Sequence, residues 1–276
     1  MSSMRPSGGF TFEIIATGDE ILLGRIVDTN SSWIAARASE IGAHLRRVTC
    51  VGDEMDEIGL VLKEAISRRN DLIILTGGLG PSEDDITIEA VGRIFGRKVE
   101  INHKAVEMIR EKCVELGVEP NPRRERMARL LGGSEPIPNP VGMATGMLLR
   151  EGVTTVVALP GVPQEMKGMF DEYVAPLIKE RATSKCLAKT VTVRIVWSDF
   201  FPMYNALLMD HSDIYLKNRT IPPLTQEERK EVRDIDVHIV IEAVSEVKCD
   251  ARMSSFLEEF RRRVRESGGE LIVEGP

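Results

Sequence analysis

No apolar run in this chain approaches the roughly 20 residues that a membrane-spanning helix requires, so a membrane role is not expected. A basic excess is missing too. The formal net charge is −7, whereas dedicated nucleic-acid binders carry a basic footprint. No nucleic-acid partner is therefore expected, and a phosphate ligand must be met by local features and not by the overall field. The four cysteines, Cys50, Cys113, Cys186 and Cys249, are far apart, which excludes a CxxC redox motif and a zinc knuckle. Spacing leaves disulfides open, but reduced thiols in a cytoplasmic protein are the expectation. The four histidines, His44, His103, His211 and His238, form no ligand spacing. There is no Gly-x-Ser-x-Gly elbow, no Nudix box and no obvious nucleophilic cysteine. Residues 1–9 hold Ser, Gly and Pro without an apolar core. They read as a frayed tail and not as a signal peptide.

What is present is an ordinary globular balance, 42% hydrophobic and 29% charged over 276 residues, enough for one large or two modest domains. Strand and helix patterns alternate through the first two-thirds. Strands are expected at 10–17, 44–51 and 71–75, and helices at 29–41, 55–69, 86–95 and 103–116. Asn30 or Ser31 is the expected cap of the first helix. The run Asp71–Leu75 is short and continuously apolar, which favours a buried parallel strand. The pattern weakens from 117 to 146. A strand pair at 147–149 and 154–159 and a helix at 163–178 follow. The fold class predicted for residues 10–183 is α/β, a three-layer α/β/α arrangement around a mostly parallel sheet. A second pattern, β-α-β-β-α-β, occupies 187–276 and predicts a small α+β domain with an antiparallel sheet. Its strands are expected at 189–197, 213–216, 237–243 and 270–273, its helices at 200–209 and 249–266, and a charged loop at 217–234.

The segment Thr76-Gly-Gly-Leu-Gly-Pro81 stands at the end of a buried strand. Gly77, Gly78 and Gly80 permit a sharp turn and close approach to main-chain N–H groups. A helix starting near Asp84 or Asp85 would aim its unpaired N–H groups at an anion. The glycine spacing fits neither a P-loop nor the dinucleotide fingerprint, and a simple tight turn is the plain alternative. Carboxylates beside a phosphate repel it unless a cation intervenes, so Asp84 and Asp85 suggest magnesium, manganese or cobalt. Helix capping is their plain alternative, and it is preferred for Glu83. The first strand is followed by Thr17-Gly-Asp-Glu…Gly-Arg-Ile-Val-Asp-Thr-Asn30. Loops after parallel strands share one sheet edge, so Glu20 and Asp28 are expected to approach Asp84 and Asp85. Asn30 is a ligand contact or a cap. Two weaker signals, 138–146 and 159–166, read as simple turns on physics alone.

Together these segments resemble the molybdopterin-binding (MoaB/Mog-like) domain family, above all the amino-terminal part of competence/damage-inducible proteins of the CinA type. The resemblance rests on Gly18-Asp-Glu20, Leu23-Gly24, Asp28-Thr-Asn30, Thr76–Pro81, Asp84-Asp85, Thr87, Pro138-Asn-Pro-Val-Gly142, Gly146, Leu159-Pro-Gly161 and Glu165-Met166. It spans residues 10–180 or so, in order. It implies either molybdopterin binding in molybdenum-cofactor biosynthesis or, for CinA-type members, metal-dependent hydrolysis of ADP-ribose and related nucleotide pyrophosphates. By resemblance Glu20, Asp28, Asp84 and Asp85 are metal positions, with Asp84, Asp85 and Glu20 also catalytic. Thr76, Gly77, Gly78, Gly80, Asn30, Thr87, Asn139, Gly142, Pro160 and Gly161 would hold phosphate or line the pocket. The leading expectation is the hydrolase. Its alternatives are a pterin-binding protein and a ligand sensor without chemistry. A homo-oligomer is implied by resemblance alone. Gly-Asp-Glu stands where the family has Gly-Thr-Glu, the match near Asn121 and Arg124 is uncertain, and Val162 replaces a proline. No segment of residues 1–276 resembles the carboxy-terminal deamidase domain of full-length CinA proteins, so that activity is not expected of them. The small domain resembles a KH domain but has no Gly-x-x-Gly loop, so it gives no warrant for RNA binding.

Overall fold

In the computed structural model, residues 9–273 are described. The expected amino-terminal tail therefore falls, Gly9 excepted, outside the described residues. The chain divides into two compact units, one of Phe10–Ser39 with Ala43–Ala182, the other running from Thr183.

The first unit runs β1 (Phe10–Thr17), α1 (Asp19–Leu22), α2 (Thr29–Glu40), β2 (Ala43–Val51), α3 (Met55–Ser67), β3 (Leu72–Thr76) and α4 (Thr87–Phe95). It continues with β4 (Val99–Ile101), α5 (His103–Glu115), α6 (Pro122–Glu125), β5 (Arg129–Leu131) and β6 (Glu135–Ile137). It closes with β7 (Gly146–Glu151), β8 (Thr154–Leu159), α7 (Pro163–Met169) and α8 (Ala175–Arg181). The main sheet has the order β2-β1-β3-β8-β7-β6. The pairs β1·β2, β1·β3 and β3·β8 are parallel, and β7·β8 and β6·β7 antiparallel. This is the mostly parallel three-layer sheet that the alternation predicts. Ile15, Ile73, Leu75, Val156 and Ala158 share one core with α3, α4 and α5. By strand alternation Phe12, Ile14, Ile74 and Val157 face the other way. They are fully buried too, as are Ile34 of α2 and Met166 and Phe170. Each such large side chain contributes roughly 1.5–3 kcal/mol.

Two details depart from the sequence pattern. The helix expected at 163–178 contains a π turn at Phe170–Val174 between α7 and α8. There Phe170 meets Trp33 of α2 edge-on, with ring centroids 5.5 Å apart. The weak stretch 117–146 holds α6, a 3-10 turn at Arg126–Ala128, β5 and β6, each too brief for any periodicity to register.

The second unit runs β9 (Lys185–Val196), α9 (Trp197–Asp210), β10 (Ile214–Asn218), β11 (Val232–Ala243), α10 (Glu246–Glu266) and β12 (Glu270–Val273). Its antiparallel sheet has the order β10-β11-β9-β12. The strand β11 starts five residues before the expected 237 because its charged first half is a solvated face, not a loop. Ile235 and Val237 point into the core, while Asp234 pairs with Arg194 at 2.8 Å and Asp236 accepts from Thr192 at 2.9 Å across the ladder.

Candidate functional site

The strands β2, β1, β3 and β8 are parallel, so the loops after all four emerge at one edge. The chain leaves β1 toward β2 on one side, and β3 lies on the other. The gap between β1 and β3 is thus a topological switch point, where open α/β sheets bind ligands. A cavity of about 570 Å³ sits there, within the usual size of a small-molecule site. Its lining comes from Thr17, Gly18 and Glu20 after β1, Asp53 after β2, residues 77–82 with Asp84 and Asp85 after β3, and Pro160–Val162 with Glu165 after β8. Met127, Met143 and Ala144 supply an apolar wall.

The glycine turn is held from beneath. Gly77 and Gly78 have φ of 111° and 63°, values that disfavour a side chain. A Cβ on Gly77 would overlap the Thr17 carbonyl, and one on Gly78 the Thr87 hydroxyl. The Thr87 hydroxyl donates to the Gly77 carbonyl at 2.9 Å and lies 3.3 Å from that of Thr17. Gly77 N donates to the Leu159 carbonyl at 3.0 Å. These glycines serve the packing of the turn on β1 and α4, the tight-turn role that the sequence offered beside close approach of a ligand. Asn30 and Thr76 lock the neighbouring loops. Asn30 Nδ2 donates to Thr76 Oγ1 at 3.2 Å and to the Gly161 carbonyl at 2.8 Å. The Thr76 hydroxyl donates to the Pro160 carbonyl at 3.3 Å. Neither side chain lines the cavity, and neither does that of Thr87.

The acids divide into two groups. Glu20, Asp84 and Asp85 reach the cavity as expected. Asp28 does not. Its Oδ1 accepts from Ser31 N at 2.9 Å, and its Oδ2 lies 3.8 Å from the Cys50 thiol. Asp28 directly precedes α2 and is therefore the residue placed to cap it, which corrects both its metal assignment and the cap expected at Asn30 or Ser31. Helix α4 opens at Thr87 without a side-chain cap. Asp85 instead accepts from Ser82 N at 2.7 Å, bracing the turn behind it. Among the described residues, no group of three or more His, Cys, Asp or Glu is placed to hold a metal ion. The expected set of Glu20, Asp28, Asp84 and Asp85 is thus not assembled.

Two acids that sequence reasoning did not place in the site lie there. Asp53 stands just past Gly52 at the end of β2 and exchanges hydrogen bonds with Asp19, each main-chain N donating to the other carboxylate at 3.1 Å. Burial pushes the Asp53 carboxyl up, and repulsion from Asp19, Glu20 and Asp85 adds to this against the Asp19 hydrogen bond. The strand-end rule used for Glu20 applies equally to Asp53 and would have found it. Glu165, on the first turn of α7, is also pushed up by burial, opposed by its hydrogen bond from Asn139 Nδ2 at 2.8 Å. Asn139 and Gly142 stand behind Glu165 and outside the main cavity. A Cβ on Gly142 would overlap the Glu165 carboxylate. The cavity lining thus carries five carboxylates, Glu20, Asp53, Asp84, Asp85 and Glu165, and no lysine or arginine.

Residues 13–180 match the family described as "Probable molybdopterin binding domain". A relative from Sulfurisphaera tokodaii, named only as a protein, is 36% identical over 94% of this chain and 97% of its own. The CinA-like protein of Geobacter metallireducens is 42% identical over 66% of this chain. This chain spans 44% of that relative's length. Among solved structures, the protein CinA with unknown function from Thermoplasma acidophilum is similar with a TM-score of 0.56 at 35% identity, over 60% of this chain and 98% of that one.

Proposed function

We propose that this chain, which belongs to the probable molybdopterin-binding domain family, holds a phosphate-bearing pterin of the molybdopterin class in the cavity at the ends of β1, β3 and β8. The observation that carries this reading is the division of the lining: a glycine turn on one side, carboxylates without a single lysine or arginine on the other. A pterin's pyrimidine edge presents N–H donors, and a carboxylate is the acceptor-only group that suits them. Its phosphate end would meet main-chain N–H groups of the turn. The chain's own residues would bind and orient the ligand, with Met127 and Met143 covering its ring. The test is titration of the protein into a fluorescent pterin phosphate. Saturable binding is expected, weakened roughly tenfold or more in Asp85→Asn, the equivalent of one charge-assisted hydrogen bond. Absence of binding, or undiminished binding in that variant, rejects the reading.

The acidic rim favours one second reading, metal-dependent hydrolysis of the diphosphate linkage of ADP-ribose or a similar nucleotide. Five carboxylates near a phosphate turn repel an anion unless a cation is shared with it. Because the acids do not form a three-ligand group, no step is assigned to a metal. Phosphate monoester release from ADP-ribose with magnesium, manganese or cobalt tests it. Full activity of Asp84→Ala, or none with any of the metals, rejects it. Pterin binding without release leaves a binding module or sensor. A homo-oligomer is a further proposal from family resemblance, checked by sedimentation of the full chain.

A further inference from the structure

The second unit has a cavity of its own, about 520 Å³, between the first turn of α9 and the segment that joins β10 to β11. Its lining is Trp197, Ser198, Phe201, Pro222, Gln226, Arg229 and Lys230. Two features set it apart from the acidic pocket of the first unit: aromatic rings on one wall and cations without a carboxylate on the other. Trp197 and Phe201 meet edge-on with centroids 5.2 Å apart.

The cations are unclaimed. Elsewhere in this unit Arg194, Arg252 and Arg263 pair with Asp234, Asp213 and Asp210 at 2.6–3.0 Å. Arg229 and Lys230 make no side-chain hydrogen bond or ion pair among the described residues. Two acids beside them in sequence are engaged elsewhere. Glu228 accepts from Leu224 N at 2.8 Å and from Thr225 N at 3.3 Å. Glu231 lies 3.6 Å from Arg233. The lining segment is tied down at both ends. Trp197 N donates to the Glu231 carbonyl at 3.3 Å, and Arg219 N to the Asp236 carbonyl at 2.9 Å. The helix end at Trp197 and Ser198 adds its own positive potential.

An aromatic wall facing two unpaired cations across a space of small-molecule size suits a flat heterocycle that carries a phosphate. We propose that this cavity is a second ligand site, for a free nucleoside monophosphate or diphosphate, with the base against half-buried Phe201, backed by the buried Trp197, and the phosphate on Arg229 and Lys230. Ser198 and Gln226 supply the neutral hydrogen-bonding groups. A nucleic-acid strand is disfavoured, because two cations are too few and the chain as a whole carries a charge of −7.

The test uses the full chain with Trp33→Phe, which leaves Trp197 as the only tryptophan of the two. Its emission then reports this cavity and not the pocket of the first unit. AMP and ADP are expected to change that emission saturably. In Arg229→Ala/Lys230→Ala, two exposed positions whose loss leaves the core intact, affinity is expected to fall about tenfold or more. In Phe201→Leu the response to AMP is expected to weaken, while that to inorganic phosphate stays. The proposal is overturned by an absent response, by equal affinity in the double variant, or by adenosine binding as well as AMP. It is also overturned if a single-stranded oligonucleotide binds more tightly, with a salt slope well above the roughly 1.4 that two cations allow.

Discussion

Gly78 and Glu165 show how single residues set the candidate site. Gly78 combines φ of 63° with a Cβ position filled by the Thr87 hydroxyl. Gly78→Ala is expected to cost about 1–3 kcal/mol from backbone strain, and more from the overlap. Urea unfolding measures the loss, and the same variant should bind the pocket ligand less well. Glu165 carries a carboxyl raised by burial. A group whose folded pKa exceeds its unfolded value holds its proton better in the folded chain. Its contribution favours folding below the unfolded value and is lost as pH rises through the folded one. Glu165→Gln is therefore expected to melt higher than the parent at pH 7 and to differ little at pH 4. Thermal melts across that range check it, and a gap that is constant with pH would contradict it. The Gln carbonyl can still accept from Asn139, so the substitution removes the charge while keeping the hydrogen bond.

At the scale of elements, the join between β1 and α3 is an ion pair at the base of the sheet. Glu13, 2% exposed, accepts from Arg68 through both oxygens at 2.7 Å. Arg68 caps the end of α3, so the pair fixes that helix against the strand whose far end carries the site. Arg68→Ala leaves a buried carboxylate alone and is expected to cost about 3–5 kcal/mol. Glu13→Leu/Arg68→Met is expected to recover most of this, because two apolar side chains remove the burial cost of both charges. Denaturant unfolding of the three proteins decides the matter. A double variant no more stable than Arg68→Ala would show that packing, not the charge, governs the join.

At the scale of the whole molecule, the buried cluster on the antiparallel sheet is distinct from the one under α3, α4 and α5 on the mixed sheet. Phe256 is fully buried in the antiparallel-sheet cluster, against His211 and Phe260 with centroids 5.1 and 5.7 Å away. Phe256→Ala is expected to cost that unit about 3–5 kcal/mol. Trp197 emission in the Trp33→Phe background follows the loss, and ligand affinity of the first pocket under native conditions should be unchanged. No helix among the described residues is long and apolar enough to cross a membrane. Cys113 and Cys249 are buried, and the Cys249 thiol lies 3.1 Å from the Lys185 carbonyl.

Strand and helix alternation, the buried run before Thr76 and the placement of Glu20, Asp84 and Asp85 at one sheet edge were all legible along the chain. They follow from local rules: side-chain period, glycine at a turn, and the common direction of parallel strands. The start of β11 was not legible, because a charged ladder face looks like a loop until its partner strand is known. Nor was the purpose of Asp28, since a carboxylate before a helix serves as a cap or a ligand with equal ease until its neighbours are placed. Tertiary structure alone decided that Asp28 turns to Ser31 and Cys50, that Asp53 and Glu165 join the cavity, and that Arg229 and Lys230 are left without acids. The physical reason is the same in each case. Sequence determines which chemistry each loop carries, but charge, burial and hydrogen-bond competition depend on neighbouring segments that only the folded chain brings together.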